Sequence, residues 1–177
     1  LPEWQWLMVG LTAILGAQTF RMLLTRPLPP PLVTGENLPR VAVLVPAKNE
    51  SAVLPDLVDS LASLDYPRTH LEIWIVDDGS TDTTPQVLQQ LQTQFPQLQV
   101  FRRESQGGKS GALNAVFPLT GGDVILVCDA DAQLPANFLR QTVPLVHQGS
   151  IGAVQVRKTI VNARSNFWTR CQQMEMS

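Results

Sequence analysis

The sequence predicts an α/β domain built on a mostly parallel sheet, and three observations lead there. Short continuous apolar runs, VAVLV (41–45), LEIWIV (71–76) and VILVC (124–128), recur along the chain as strands buried on both faces do. The stretches between them carry apolar residues at helical spacing. Each run ends in a polar loop, and right-handed strand–helix–strand connections gather such loops at the carboxyl edge of the sheet, where sheets of this kind bind ligands.

The elements follow in order. Residues 1–25 differ from the rest: WQWLMVGLTAILGAQTFRMLL (4–24) is apolar nearly all round and just long enough, at ~1.5 Å per residue, to cross a ~30 Å hydrocarbon core. Trp4 and Trp6 suit one membrane interface, and Arg21 and Arg26 the other, which puts the following domain on the cytoplasmic side. A cleaved signal peptide fits less well, because the positive charges follow the apolar run, and a surface-lying helix would need a polar face. We therefore expect a transmembrane anchor over 1–25 and an integral membrane protein. Residues 26–40, RPLPPPLVTGENLPR, are too proline-rich for a helix and read as a spacer.

From residue 41 strands and helices alternate. The first strand precedes a helix carrying Val53, Leu54, Leu57, Val58, Leu61 and Leu64. The second precedes a helix over 83–95 with Val87, Leu88, Leu91 and Phe95 on one face. A weaker strand follows at 98–101, a short helix at 110–117, the strand 124–128, a helix over 136–146 bent or broken by Pro144, and a fifth strand at 151–156.

Composition narrows the function. A net charge of −2 with few aromatics gives no basic footprint for nucleic acid. Cys128 and Cys171 stand far apart without zinc-site spacing, so a reducing compartment fits. His70 and His147 lack the partners that a metal site or a catalytic base requires.

Four loops should open on one side of the sheet: PAKNE (46–50), DDGSTD (77–82), GGKSGALN (107–114) and DADA (129–132). The Gly-Lys-Ser of the third suggests a P-loop. That motif, however, needs a glycine where this chain has Arg103. In DADA, two carboxylates one residue apart at a strand end can share a hard cation such as Mg²⁺ or Mn²⁺. In DDGSTD, Gly79 makes a turn and Ser80, Thr81 or Asp82 caps the following helix. Asp77 and Asp78 are not needed for that, and their mutual repulsion makes sense if one of them accepts hydrogen bonds from a ligand such as a uracil imide or a ribose hydroxyl.

With these four motifs in this order, the chain from Val41 onward resembles the family 2 glycosyltransferases of the GT-A fold, with GGKSGALN similar to a segment of the processive β-glycan synthases. The resemblance implies an inverting enzyme that takes a hexose, glucose or N-acetylglucosamine, from a UDP-sugar to a lipid or growing glycan. It implies that Pro46, Ala47, Glu50 and either Asp77 or Asp78 hold base and ribose. Gly107 and Gly108 would let backbone approach the donor, and Lys109 would face the diphosphate or the sugar. Asp129 and Asp131 would serve donor and metal, and with Lys109 form the catalytic set. The family's general base lies in a later Asp motif, followed in processive members by Gln-x-x-Arg-Trp. Neither occurs after Asp131, so we expect residues 41–177 to be the donor-binding part, with the acceptor half missing and little activity alone.

Two other readings compete. A sugar nucleotidyltransferase would carry its glycine-rich loop near the first strand, where PAKNE stands. A noncatalytic nucleotide-sugar-binding module would bind UDP without turnover. Residues 166–177, NFWTRCQQMEMS, read as an amphipathic helix that packs on the core or meets the membrane.

Overall fold

A computed structural model of the chain describes residues 4–24, 38–147 and 151–156. Most of the proline-rich spacer and the whole segment 157–177 lie outside the described residues. The chain divides into two compact units, residues 1–30 and 31–177.

The first unit holds one helix, α1 (Trp4–Leu24), with Trp4, Trp6, Leu7 and Ile14 exposed. Among the described residues no helix is long and apolar enough to cross a membrane. The transmembrane anchor is therefore corrected to a helix of the expected extent that falls short of a span. Gln18 and Arg21 interrupt its apolar run.

The second unit is a four-stranded parallel sheet in the order β3-β2-β1-β4, made of β1 (Val41–Ala47), β2 (Leu71–Asp78), β3 (Leu98–Arg103) and β4 (Val124–Val127). Its helices are α2 (Leu54–Ala62), α3 (Thr84–Gln94), α4 (Gly108–Val116) and α5 (Phe138–His147). The alternating side chains of the strands build two cores. Val41, Val43, Val45, Ile73 and Ile75 pack with Leu54, Leu57 and Leu61 of α2, Leu88 and Leu91 of α3, and Leu139 and Val143 of α5. Leu44 and Val76 face the other way, onto Ala112 and Val116 of α4. Each fully buried Leu, Ile or Val contributes about 1.5–3 kcal/mol over its exposed state. Strand β1, fully enclosed up to Val45, is the centre of both cores.

Two expectations change. Residues 151–156 form no strand, leaving β4 at the described edge with Val127 about half exposed. Helix α5 continues through Pro144 to His147 instead of breaking there. Pro144 is buried, and Val143 beside it packs into the core, so the helix holds despite the missing backbone donor.

At the amino end of the strands, away from the four loops, one carboxylate fastens three segments. Glu72 accepts hydrogen bonds from Arg40 Nη2 (2.6 Å), the Gly121 N–H (3.1 Å) and Trp74 Nε1 (3.4 Å). Burial alone would raise its pKa, but these bonds and the Arg40 charge outweigh it and hold the carboxyl below the ordinary glutamate range. A pKa depressed by folding stabilises above the unfolded value and is lost as pH falls through the folded one. Glu72→Gln should therefore melt at a lower temperature than the parent chain near neutral pH, and the gap should close between about pH 6 and about pH 3. Thermal melts across that range test it, and a gap independent of pH counts against the clamp.

Candidate active site

The loops after β1, β2 and β4 and the turn into α4 meet around a cavity of about 430 Å³ at the carboxyl edge of the sheet. It is lined by Pro46, Ala47, Lys48, Glu50, Asp78, Ser105, Gly108, Lys109, Asp129, Ala130 and Asp131. Eight residues singled out in the sequence are thus brought together. Asp77 and Gly107 are not on the lining.

Parallel pairing explains the division of the two aspartates. Asp77 and Asp78 stand opposite Arg102 and Arg103 on β3, and successive strand residues point to opposite faces. Asp77, almost wholly buried, turns away from the cavity: its Oδ1 accepts the Ser80 N–H at 2.9 Å, closing the turn, and its Oδ2 lies 3.4 Å from Arg102 Nε. Asp78 lies on the α4 face and lines the cavity. Its Oδ2 accepts from Ser105 Oγ at 3.0 Å, and its Oδ1 lies 3.0 Å from Arg103 Nε yet accepts no hydrogen bond. The expected repulsion between the two carboxylates is therefore met inside the protein, by one arginine each. One buried oxygen of each carboxylate, Asp77 Oδ2 and Asp78 Oδ1, accepts no hydrogen bond and faces its arginine instead.

The first loop is held by its own asparagine. Asn49 adopts a left-handed conformation (φ 58°), and its Oδ1 accepts the Thr81 N–H at 2.8 Å while its N–H donates to Ser80 Oγ at 2.9 Å. The Glu50 N–H donates to Thr84 Oγ1 at 2.9 Å, so PAKNE and DDGSTD are stitched into one wall. Asp82 accepts from Ser51 Oγ and the Thr84 N–H. The Thr84 bonds above all hold its carboxyl below the usual range.

The glycine-rich turn enters α4 two residues earlier than its apolar spacing predicts. Gly107 and Gly108 both take positive φ, 73° and 56°, which side chains other than glycine rarely adopt. Nothing stands within 4 Å of where a Cβ on Gly108 would lie. Lys109 extends from the first turn to form an ion pair with Asp129 Oδ1. Among the described residues no three His, Cys, Asp or Glu side chains gather as a metal site. Asp129 and Asp131, one loop apart from a lysine, instead suit a hard cation that takes its remaining ligands from phosphate and water.

Lys48, Ser105 and Arg103 do not stand out in the sequence as site residues. Lys48 enters the cavity and donates to Ser105 Oγ at 3.1 Å, continuing to Asp78. Arg103 was noted only as a misfit to a P-loop. Charged residues on both members of a strand pair were the available signal for it, and they are silent without the register.

A parallel sheet with a cavity at its carboxyl edge, walled by PAKNE, DDGSTD, GGKSGALN and DADA, defines an α/β domain of the GT-A type. Residues 42–177 match glycosyl transferase family 2, and the chain belongs to that family. It is 48% identical over 171 residues to a beta-monoglucosyldiacylglycerol synthase of Nostoc sp., covering 96% of this chain and 36% of that protein. The synthase of the same name from Synechocystis sp. is 49% identical, with 97% and 37% covered. The chain thus spans little more than a third of these relatives. Among solved structures, the mannosyltransferase PcManGT from Pyrobaculum calidifontis, in complex with GDP-Man and Mn²⁺, superposes with a TM-score of 0.71 at 28% identity, covering 85% of this chain and 44% of that one.

Proposed function

We propose that this chain is the donor-binding part of an inverting glycosyltransferase that transfers a hexose, glucose in the first instance, from a UDP-sugar to a lipid acceptor at the cytoplasmic face of a membrane. The observation that carries the reading is the convergence of eight motif residues from four loops on one cavity, with the Asp78 carboxylate on its lining. A carboxylate there is complementary to the imide N–H of uracil, and Lys48 stands next to it as a donor for a carbonyl. Glu50 and the backbone of Pro46 and Ala47 complete the nucleoside end. Lys109 and the open approach at Gly108 form the diphosphate end.

Asp129 and Asp131 would hold Mg²⁺ or Mn²⁺, which when bound neutralises negative charge on the diphosphate; the Mn²⁺ in the PcManGT complex supports this. The chain's own contribution at that end is the Lys109 ammonium. Now paired with Asp129, it is placed to follow the charge that develops on the leaving diphosphate, and stabilisation of this kind needs no rearrangement of solvent. The lipid acceptor rests on the names of the cyanobacterial relatives. The membrane location rests on the exposed apolar residues of α1 and on the lipid named in those relatives.

Calorimetric titration with UDP and GDP, each with and without Mn²⁺, tests the donor site. UDP should bind more tightly than GDP, and Mn²⁺ should strengthen both. Failure of the folded chain to bind either nucleotide overturns the reading, and preference for GDP replaces the uridine donor.

A further inference from the structure

The residue that disqualifies the P-loop has an assignment of its own. Arg103 is the last residue of β3, and its side chain is only 16% exposed. Its guanidinium donates to three backbone carbonyls at once: Glu104 O through Nε, Gly111 O through Nη1 and Gln106 O through Nη2. Its counter-charge is Asp78, 3.0 Å from Nε. One planar fork therefore joins the nucleoside-end carboxylate to the backbone on both sides of the glycine-rich turn, from which Lys109 extends to Asp129.

The sequence around it is shaped to admit this fork. Gly111 has no room for a side chain, since a Cβ would lie 2.1 Å from Gln106 O and 3.2 Å from Arg103 Nη2. At the other end, a Cβ on Gly79 would lie 3.0 Å from the Ser105 backbone nitrogen, so the β2 turn and the β3–α4 loop close on each other beside Asp78. The turn itself, with two successive residues at positive φ, has no side-chain cap on its helix end. Arg103 supplies the fixed points that the turn lacks.

We propose that Arg103 is a positioning residue that couples the two ends of the donor site. Through the carbonyls of Gln106 and Gly111 it sets the height of the turn carrying Lys109, and through Asp78 it holds the base-reading carboxylate against that same turn. Binding at one end then orders the other. The inference rests on the donor site proposed above. Its chemistry needs a bidentate, planar cation: lysine keeps the charge beside Asp78 but, as a compact ammonium, cannot span carbonyls on both sides of the turn.

The test compares Arg103→Lys and Arg103→Met with the parent chain, reading UDP and uridine affinity by titration and amide hydrogen exchange across 106–111 without ligand. Arg103→Lys should weaken UDP about tenfold while leaving uridine within about twofold, because the diphosphate end loses its alignment and the charge at Asp78 survives. Arg103→Met should weaken both. Exchange across 106–111 should quicken in both variants, with exchange in β1 and β2 unchanged. A parent-like UDP-to-uridine ratio in Arg103→Lys overturns the coupling, as does equal loss of both ligands in that variant. Unchanged exchange across 106–111 overturns the tether itself. A parent chain that binds neither ligand overturns the donor reading, and the ligand-free exchange measurement still decides the tether.

Discussion

Replacing Asp129 and Asp131 together by asparagine is expected to abolish the Mn²⁺-dependent part of UDP binding while leaving the fold intact. Among the described residues the two carboxylates are the only acidic side chains lining the β4 end of the cavity, and asparagine keeps their shape while removing both charges. A divalent cation supplies several kcal/mol where phosphate oxygens are bound, so the loss in Mn²⁺ should reach at least about 100-fold. UDP affinity without metal should change far less, since the substitution also frees Lys109 from Asp129 and leaves its ammonium available to the phosphates. The melting temperature should stay close to the parent's, because the Asp129 side chain is a third exposed and its pair with Lys109 is a solvent-screened one. Titration of parent and variant with and without Mn²⁺ checks all of this. Unaltered metal dependence in the variant would place the cation elsewhere.

Gly111→Ala should be the most damaging single methyl group in the glycine-rich segment. Within a helix, alanine is ordinarily favoured over glycine by about 1 kcal/mol. Here the new Cβ would stand 2.1 Å from the Gln106 carbonyl oxygen, and backbone cannot swing aside as a flexible side chain does. Overpacking against fixed backbone costs about 1–3 kcal/mol, so the clash outweighs the propensity and the net melting temperature falls by several degrees. The easiest relief moves Gln106 outward, taking with it a carbonyl that Arg103 holds. UDP affinity should consequently fall in addition to stability. A thermal melt and a UDP titration on the same preparation separate the two effects, and a stabilised variant would show that the turn has more freedom than its geometry allows.

Much of the architecture could be read along the chain because each element carries its own signal. The continuous run 41–45 announces a strand enclosed on both faces, and Val45 and its neighbours are indeed fully buried. Leu54, Leu57 and Leu61 announce one buried helix face, which α2 presents to the sheet. The local signal failed where packing overrides it. Of the bend or break that Pro144 predicts, the buried side of α5 excludes the break, and the apolar residues of 151–156 predict a strand that does not form among the described residues. The apolar run of α1 predicts a length, which is right, and a membrane span, which α1 does not meet.

The site divides in the same way. Parallel strands joined by crossovers must return their loops to one edge, so the order of PAKNE, DDGSTD, GGKSGALN and DADA in the sequence was by itself enough to determine that Pro46, Ala47, Glu50, Gly108, Lys109, Asp129 and Asp131 would meet. It was not enough to choose between Asp77 and Asp78, or to find Lys48, Ser105 and Arg103. Those choices depend on which face of the sheet α4 covers and on which β3 residue stands opposite which residue of β2. A side chain's face alternates with every residue, so a shift of one position exchanges the two aspartates, and only the assembled register, Asp77 with Arg102 and Asp78 with Arg103, decides which carboxylate lines the cavity.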